Sequence, residues 1–424
     1  MFTLLILADD LTGALDTGVQ FAKKGRATRV LLSPAFLAGQ AENTAGSVAV
    51  LVINTDTRHC SPGDAGKIIT ACLEQYRDVP YVYKKTDSTL RGHIGAELEA
   101  LMRARDISQL PFVPAYPGLG RTTAGGHQLL RGVPIDRTDM AADALNPIRH
   151  SFIPDIIGEE SDTPVRLVPA KGAATNSGSS KGEMLVYDGG TAGELRDIAG
   201  SLKKQGLLSV TAGCAGFAEF LMEEIPFPAR PAQAKIDNDA IPMLPILILS
   251  GSRHPVSLDQ VRTALAGGLP GIAVDGEKLR RREWFNGEEA AALEDDCAEA
   301  LKRQGVCILG TAVALGQIAG GADAAGTAGV AGLLGKLLEK ILTKTGPLHL
   351  VVFGGDTLLG IMKILKFDYI IPIKEIRPGI VLARAEGRGG SSFIVTKSGA
   401  FGGPGMIETI RGELRLMCRA FLEE

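Results

Sequence analysis

Over its first 225 residues the chain switches repeatedly between two periodicities. Short apolar runs occur at Thr3–Leu7, Arg29–Leu32, Val48–Ile53, Tyr81–Tyr83, Phe112–Val113, Met184–Tyr187 and Leu207–Val210. Amphipathic stretches fill Gly13–Lys24, Asp64–Tyr76, Gly92–Ala104, Gly193–Lys204 and Ala215–Glu223. Strand-length runs alternating with helix-length patterns build βαβ units, and therefore a doubly wound, mostly parallel sheet. The rhythm resumes with strands near Ile246–Leu249, Gly271–Val274, Cys307–Leu309, Leu348–Phe353 and Phe367–Ile373. Helices are expected between them near Ser257–Ala266, Gly287–Arg303, Ala325–Thr343 and Thr357–Leu365. Near the end, Ile380–Ala383 and Ser392–Thr396 suggest a hairpin-type pair around a glycine-rich turn.

Between the two alternating blocks lies Pro226-Phe227-Pro228-Ala229-Arg230-Pro231-Ala232, followed by the polar Lys235–Asp239. This stretch has no periodicity and reads as a linker that could serve as a hinge. With 424 residues the chain exceeds one ordinary core. The expectation is α/β with two domains, 1–228 and 243–424, joined by a linker at 229–242, each a mostly parallel sheet flanked by helices. A second small-residue tract, Gly172–Lys181, reads as a mobile surface loop.

Composition excludes several classes of partner. A net charge of -3 offers no basic field for nucleic acid or a membrane surface, and aromatics at 5% leave few platforms for stacking bases. The six cysteines and six histidines are dispersed, without zinc spacing, so the thiols read as free groups in a reducing cytoplasm. Met1–Leu7 lacks a positive leader and meets Asp9-Asp10 at once, so a buried strand is expected there rather than a signal peptide. Glycine is abundant at 53 residues, where average usage would give about 30. Many of these glycines stand at strand-to-helix junctions, where backbone must approach a ligand closely.

The chemistry concentrates at those junctions. Tyr83-Lys84-Lys85-Thr86-Asp87-Ser88-Thr89-Leu90-Arg91-Gly92 follows a strand and precedes a helix. Cations there suit an anionic substrate, and a carboxylate among hydroxyls suits proton abstraction from an alcohol. A solvated loop capped by Asp87 or Ser88 is the plain alternative. The first strand ends in Asp9-Asp10-Leu11-Thr12-Gly13. One acid can cap the helix while the other faces a ligand, or both can sit solvated at the helix dipole. Arg58, in Asn54-Thr55-Asp56-Thr57-Arg58, has the shape for a bidentate grip on a carboxylate, the alternative being a surface pair with Asp56 or Asp64. The Pro114–Thr123 stretch leading to Gly125-Gly126-His127 reads as an architectural hairpin.

In the second half, Ser250-Gly251-Ser252, Gly354-Gly355-Asp356-Thr357 and Lys397-Ser398-Gly399 each follow a strand. Glycine and hydroxyl residues at helix starts offer backbone amides to phosphate oxygens, and Lys397 is a candidate counter-charge. Neither a Walker A motif nor a dinucleotide fingerprint is present. Gly178-Ser179-Ser180-Lys181-Gly182 matches Gly-x-Ser-x-Gly only formally, because it lies in the small-residue tract.

Taken together, these segments resemble the four-carbon acid sugar kinase family. The pieces that carry the resemblance are Ala8–Ala14, Asn54–Arg58, Lys85–Gly92, Pro114–Pro117, Ser250–Ser252, Gly354–Thr357 and Lys397–Gly399, in the family's order over almost the whole chain. Ser252-Arg253-His254-Pro255 departs from the smaller residues expected after that serine. The resemblance implies an amino-terminal sugar-acid domain, a carboxyl-terminal ATP domain and an active site in the inter-domain cleft. The implied reaction is 4-phosphorylation of 3-oxo-tetronate, D-threonate or D-erythronate, with ATP and Mg2+. Asp9, Asp10, Arg58, Lys85, Thr86, Asp87, Ser88 and Arg91 are then expected at the substrate, with Asp87 or Asp10 orienting or deprotonating the hydroxyl. Ser250, Gly251, Ser252, Gly354 to Thr357 and Lys397 to Gly399 are expected at the nucleotide. No metal ligand is assigned beyond Asp356 as a candidate. The expected partners are a small-molecule sugar acid and ATP, with neither nucleic acid nor membrane, in a cytoplasmic protein whose oligomeric state, a homodimer included, is open. A non-catalytic sensor of sugar acid and nucleotide is the competing hypothesis, and the carboxylates at an anion site argue against it.

Overall fold

The structure, a computed structural model, describes residues 2–34, 48–142, 147–171, 182–228, 241–252, 254–281, 283–311, 315 and 327–419. The tract at 172–181, most of the expected linker (229–240) and Arg253 lie outside the described residues. The chain divides into two compact units, Met1–Ala232 and Gln233–Glu424.

The first unit begins β1 (Leu4–Ala8), α1 (Leu11–Ala22), β2 (Thr28–Leu31), β3 (Val50–Asn54), α2 (Pro62–Gln75), β4 (Tyr81–Lys85), α3 (Ile94–Arg105) and β5 (Gln109–Val113). Three short strands follow, β6 (Arg121–Ala124), β7 (His127–Leu130) and β8 (Val133–Pro134), then α4 (Ile153–Gly158) and β9 (Val165–Val168). The unit closes with β10 (Glu183–Tyr187), α5 (Ala192–Lys204), β11 (Val210–Gly213) and α6 (Ala215–Glu224). The main strands are parallel in the order β2-β3-β1-β4-β11-β5-β10-β9. All five residues of β1 are buried, as an inner strand of a helix-covered parallel sheet requires.

Register decides what this sheet presents. Ala8 pairs with Asn54 on one side and Lys85 on the other. The residues that follow, Asp9, Thr55 and Thr86, therefore emerge together at the carboxyl edge. The chain winds one way from β1 to β2 and β3, then crosses to β4, so β1/β4 is the point where the order reverses and where such sheets bind ligands.

The second unit contains β12 (Ile246–Ser250), α7 (Pro255–Ala266), β13 (Gly271–Val274), α8 (Gly276–Leu279), α9 (Glu288–Gln304), β14 (Val306–Thr311) and α10 (Thr327–Thr345). It continues with β15 (His349–Phe353), α11 (Gly355–Ile364), β16 (Phe367–Arg377), β17 (Ile380–Gly387), β18 (Gly390–Lys397) and α12 (Met406–Arg419). Strands β13-β14-β12-β15-β18 are parallel, and β17 and β16 continue the sheet antiparallel. Ser250 pairs with Phe353, which pairs with Lys397. The order reverses between β12 and β15, so the same logic aligns the three glycine-rich segments.

Several elements differ from expectation. The carboxyl-terminal hairpin is longer, since β17 and β18 pair from Ile380 opposite Lys397 to Gly387 opposite Gly390. The Pro114–His127 region leads into an antiparallel sheet of β6, β7 and β8 that runs on to Pro134, in keeping with its architectural reading. Strand β9 and helices α4, α8 and α12 were not anticipated. Helix α12 packs Ile407, Ile410, Leu414 and Cys418 into the unit's core at helical spacing. All six cysteines are free thiols. No helix among the described residues is long and apolar enough to cross a membrane.

Candidate active site

At the β1/β4 edge the two adjacent acids divide their work. Asp10 caps α1, its Oδ1 accepting from the Gly13 amide at 2.9 Å. Its Oδ2 accepts from Thr12 Oγ1 at 2.6 Å and from Arg58 Nη1 at 2.8 Å. Asp9 is buried, with Oδ2 2.8 Å from Arg58 Nε and 2.7 Å from Nη2. Arg58 thus binds Asp9 and Asp10, and its Nη2 also stands 3.8 Å from Asp87 Oδ1. Neither Asp56 nor Asp64 is its partner, and the guanidinium is committed to the protein's own carboxylates rather than held out for a ligand.

Asp87 anchors the loop after β4. It accepts from the Thr89 hydroxyl and amide, from Arg91 Nε at 2.8 Å and from Arg91 Nη2 at 3.3 Å. These bonds hold Leu90 at φ 62°, a left-handed conformation that costs a side-chain-bearing residue about 1–2 kcal/mol. Burial pushes the Asp87 carboxyl up, but Arg91, Arg58 and Lys85 outweigh it and keep its pKa well below the usual range. Burial likewise raises Asp10, and Arg58, Lys85 and the Thr12 hydroxyl overcome it, so its pKa is also lowered. Both carboxylates are therefore firmly ionised.

Lys85 is the available cation. It is 4% exposed and its ammonium makes no hydrogen bond or ion pair with any described residue. A Cβ on Gly13 would lie 2.7 Å from its Nζ and 2.5 Å from Asp10 Oδ1, so glycine is what allows lysine and carboxylate to meet across the helix start. Lys84, its neighbour, is fully buried and paired with Glu97 at 2.9 Å. Thr86 Oγ1 and Asp9 Oδ1 are buried without a hydrogen-bond partner among the described residues. Ser88 is held by its carbonyl, which accepts from Gln128 Nε2 at 2.9 Å.

Sequence reasoning missed Gln128 and Arg121. Gln128, wholly buried on β7, also donates to the Pro114 carbonyl and accepts from Thr123. Arg121 on β6 is buried; burial pulls its pKa down while Asp87 works against that, which makes the two electrostatic neighbours. Arg58, Lys85, Arg91 and Arg121 lie among Asp9, Asp10 and Asp87, with Asp16 also acting on Arg121. The only sequence signal for Arg121 was its place in a hairpin that nothing tied to Asp87.

In the second unit the three segments converge. A Cβ on Gly251 would come 2.4 Å from Thr357 Oγ1, one on Gly354 3.7 Å from Ser252 Cβ, and one on Gly399 3.3 Å from Ser252 Oγ. Gly354 has φ 102°, which L side chains rarely adopt, and it precedes the first turn of α11. Gly355, Asp356 and Thr357 open that ten-residue helix, so their amides are among those without an intrahelical acceptor. Asp356 is exposed and Ser250 Oγ is buried without a partner among the described residues. The narrow glycine cradle at a helix start fits phosphate oxygens. Among the described residues no group of three His, Cys, Asp or Glu could hold a metal. Magnesium bound mainly through nucleotide phosphates needs only one or two protein carboxylates, and Asp356 is an exposed carboxylate at this helix start.

Lys397 does not serve as an exposed counter-charge. It is completely buried, donating to the Ser398 carbonyl at 2.8 Å, the Gly399 carbonyl at 3.1 Å and Ser257 Oγ at 3.1 Å, and lying over the Phe353 ring. Burial draws its pKa down to about 7. Its role in this geometry is to hold the Ser398–Gly399 loop in place.

The fold and these two edges define a protein that pairs a sugar-binding with a nucleotide-binding domain. Residues 4–221 match the Sugar-binding N-terminal domain and residues 247–407 the Nucleotide-binding C-terminal domain. The chain belongs to the four-carbon acid sugar kinase family. It is 34% identical over 307 residues to D-threonate kinase of Salmonella typhimurium, covering 70% of this chain and 68% of that one. It is 26% identical to 3-oxo-tetronate kinase of Methylobacterium radiotolerans, over 94% of this chain and 96% of the other. A crystal structure from Salmonella typhimurium LT2 shares the fold, with TM-score 0.78 and 23% identity over 97% of this chain and all of that one.

Proposed function

We propose that this chain is an ATP-dependent kinase that phosphorylates the terminal hydroxyl of a four-carbon sugar acid, with D-threonate the first candidate. The observation that carries the reading is the Lys85 ammonium, buried without a hydrogen bond or close ion pair to any described residue, within electrostatic reach of the ionised Asp10 and Asp87. Such a cation completes its pairing only when an anion arrives. The D-threonate kinase that is 34% identical supports the choice of substrate class.

In this reading Lys85, with the Thr86 and Ser88 hydroxyls, binds the sugar acid. Arg58 acts from behind, keeping Asp10 ionised and holding Asp9 and Asp10 in place. Asp87 accepts a hydrogen bond from the attacking hydroxyl and orients it, and takes its proton as the new O–P bond forms and that oxygen loses its basicity. A low-pKa carboxylate is adequate here because phosphoryl transfer depends mostly on positioning and charge neutralisation. The amides at the start of α11, the Ser252 hydroxyl and the Gly399 backbone hold the nucleotide phosphates. Magnesium, when bound with the nucleotide, would neutralise charge between the β- and γ-phosphates.

A coupled assay for ADP release tests this with D-threonate, D-erythronate and 3-oxo-tetronate. Saturable ADP release with one of them is expected. Tight binding of tetronate and ATP without turnover would make the protein a sensor instead.

A further inference from the structure

Behind the sugar-acid edge lies a buried polar chain that the reaction does not use directly. Glu97, in the first turn of α3, is 1% exposed. Its Oε2 stands 2.9 Å from Lys84 Nζ, and its Oε1 accepts from Thr57 Oγ1 at 2.5 Å. Lys84, fully buried at the end of β4, also donates to the Lys85 carbonyl at 2.8 Å. Thr57 Oγ1 lies 2.8 Å from Thr55 Oγ1, which donates to the Ala8 carbonyl at 2.9 Å. The amides of Thr57 and Arg58 donate to the Asp9 carbonyl at 3.1 and 3.3 Å.

These links join three segments that are distant in sequence. One runs from Ala8 into Asp9 and Asp10, the second from Thr55 to Arg58, and the third from Lys84 to Asp87. The residues that face the ligand space are next in sequence to the linked ones, and besides backbone hydrogen bonds only the Arg58 contacts with Asp9, Asp10 and Asp87 would otherwise fix their relative heights. We propose that Glu97 and Lys84 are positioning residues: their buried pair fastens the three strand-end segments together and so sets the geometry in which Lys85, Asp10 and Asp87 meet a sugar acid. The inference rests on the kinase reading above.

A purely structural role is a poor explanation for the pair. Replacing a buried ion pair by apolar residues of similar volume is often neutral or stabilising, so stability alone gives little reason for one. What an apolar pair cannot do is bind the Thr57 hydroxyl and the Lys85 carbonyl at once. Glu97 is also pushed up in pKa by burial, with Lys84 opposing and Asp9 adding to it, as befits a carboxylate close behind the site. A misplacement of about 1 Å at a reacting group can cost on the order of 100-fold in rate, so a small relaxation of these segments should be visible in turnover.

The test uses the full-length protein and three measurements: thermal unfolding, kcat with saturating D-threonate, and the KM for ATP. Lys84→Met/Glu97→Met should fold with a melting temperature close to wild type, lose about 30-fold in kcat and keep its ATP KM within about twofold. Thr57→Val, which removes only the hydroxyl link, should fold and lose about tenfold in kcat. A folded double variant with wild-type kcat would overturn the proposal. If the double variant does not fold, Thr57→Val decides: wild-type kcat overturns the proposal, and a fall at unchanged melting temperature supports it. If wild-type protein releases no ADP with any tetronate, the kinase reading fails and takes this inference with it, a result distinct from equal rates in wild type and variants.

Discussion

At the β1/β4 edge, four cations and three carboxylates crowd the ends of strands, and most of them hold one another. At the β12/β15 edge the residues brought together are glycines, serines and a threonine, and the one lysine is buried beneath them. The first edge gathers charged side chains; the second presents backbone. This difference matches the ligands proposed for each. A small sugar acid offers one carboxylate and a few hydroxyls, so it must be gripped by side chains. A polyphosphate offers many equivalent oxygens, for which rigid amides at a helix start suffice. In a charge-based site the cost of a mutation falls on neighbouring charges, whereas in a backbone-based site it falls on conformation.

The largest effect is expected at Arg58. Arg58→Met leaves Asp9 buried without its cation, which should cost about 3–5 kcal/mol of folding stability in urea titration. A raised tetronate KM at unchanged stability would instead make Arg58 a ligand-facing group and weaken the contrast between the edges. Next comes Asp87→Asn, which should lower turnover roughly 100-fold or more while leaving the ATP KM near normal. Because the carboxylate's pKa is depressed, wild-type turnover should show no loss assignable to Asp87 as pH falls from 7 to 5; a bell-shaped acid limb that disappears in Asp87→Asn would contradict this.

At the other edge, Gly354→Ala forces a side chain into φ 102°. Backbone strain of that kind costs about 1–3 kcal/mol, so the ATP dissociation constant should rise about tenfold in calorimetry, with tetronate binding unchanged. An unaltered ATP affinity would reduce the glycine cradle to a turn. The smallest effect concerns Lys397, whose folded pKa of about 7 lies below the ordinary lysine value of 10.5. Between these values the unfolded chain holds the extra proton, so the lysine's contribution to stability grows as pH rises through that window. Relative to Lys397→Met, wild type should gain stability from pH 7 towards 10, with a slope of at most about 1.4 kcal/mol per pH unit. No difference in slope would mean that the Ser398 and Gly399 carbonyls and the Phe353 ring keep the ammonium charged.

Much of the fold was legible because its signal is local. A run such as Leu4–Ala8 is apolar in every position, and Asp10 three residues before Gly13 is a helix start written in sequence. Helix α12 was equally legible in principle, with apolar residues at 407, 410 and 414, but it follows a glycine-rich stretch that drew attention to turns. Strand β9 has only Val168 buried, so its alternation was weak. The junctions that carry charge were recognised, and the structure brings those within each unit together. Their partnerships were not legible. Arg58 and Lys85 look alike as cations at strand ends, yet one is spent on Asp9 and Asp10 while the other makes no hydrogen bond or close ion pair with any described residue.

By itself the sequence determined the βαβ alternation, the strand-to-helix junctions bearing charge or glycine, and the residue types each ligand edge would have. These follow from periodicity and backbone preference, which act over a few residues. Only the tertiary structure decided which charges pair, that Lys397 is buried rather than offered, and that Glu97 and Gln128 stand behind the site. Those outcomes depend on strand register and on how side chains from segments tens of residues apart compete for the same few ångströms. Electrostatic free energy at that range is set by distance and burial, and neither is encoded in local sequence.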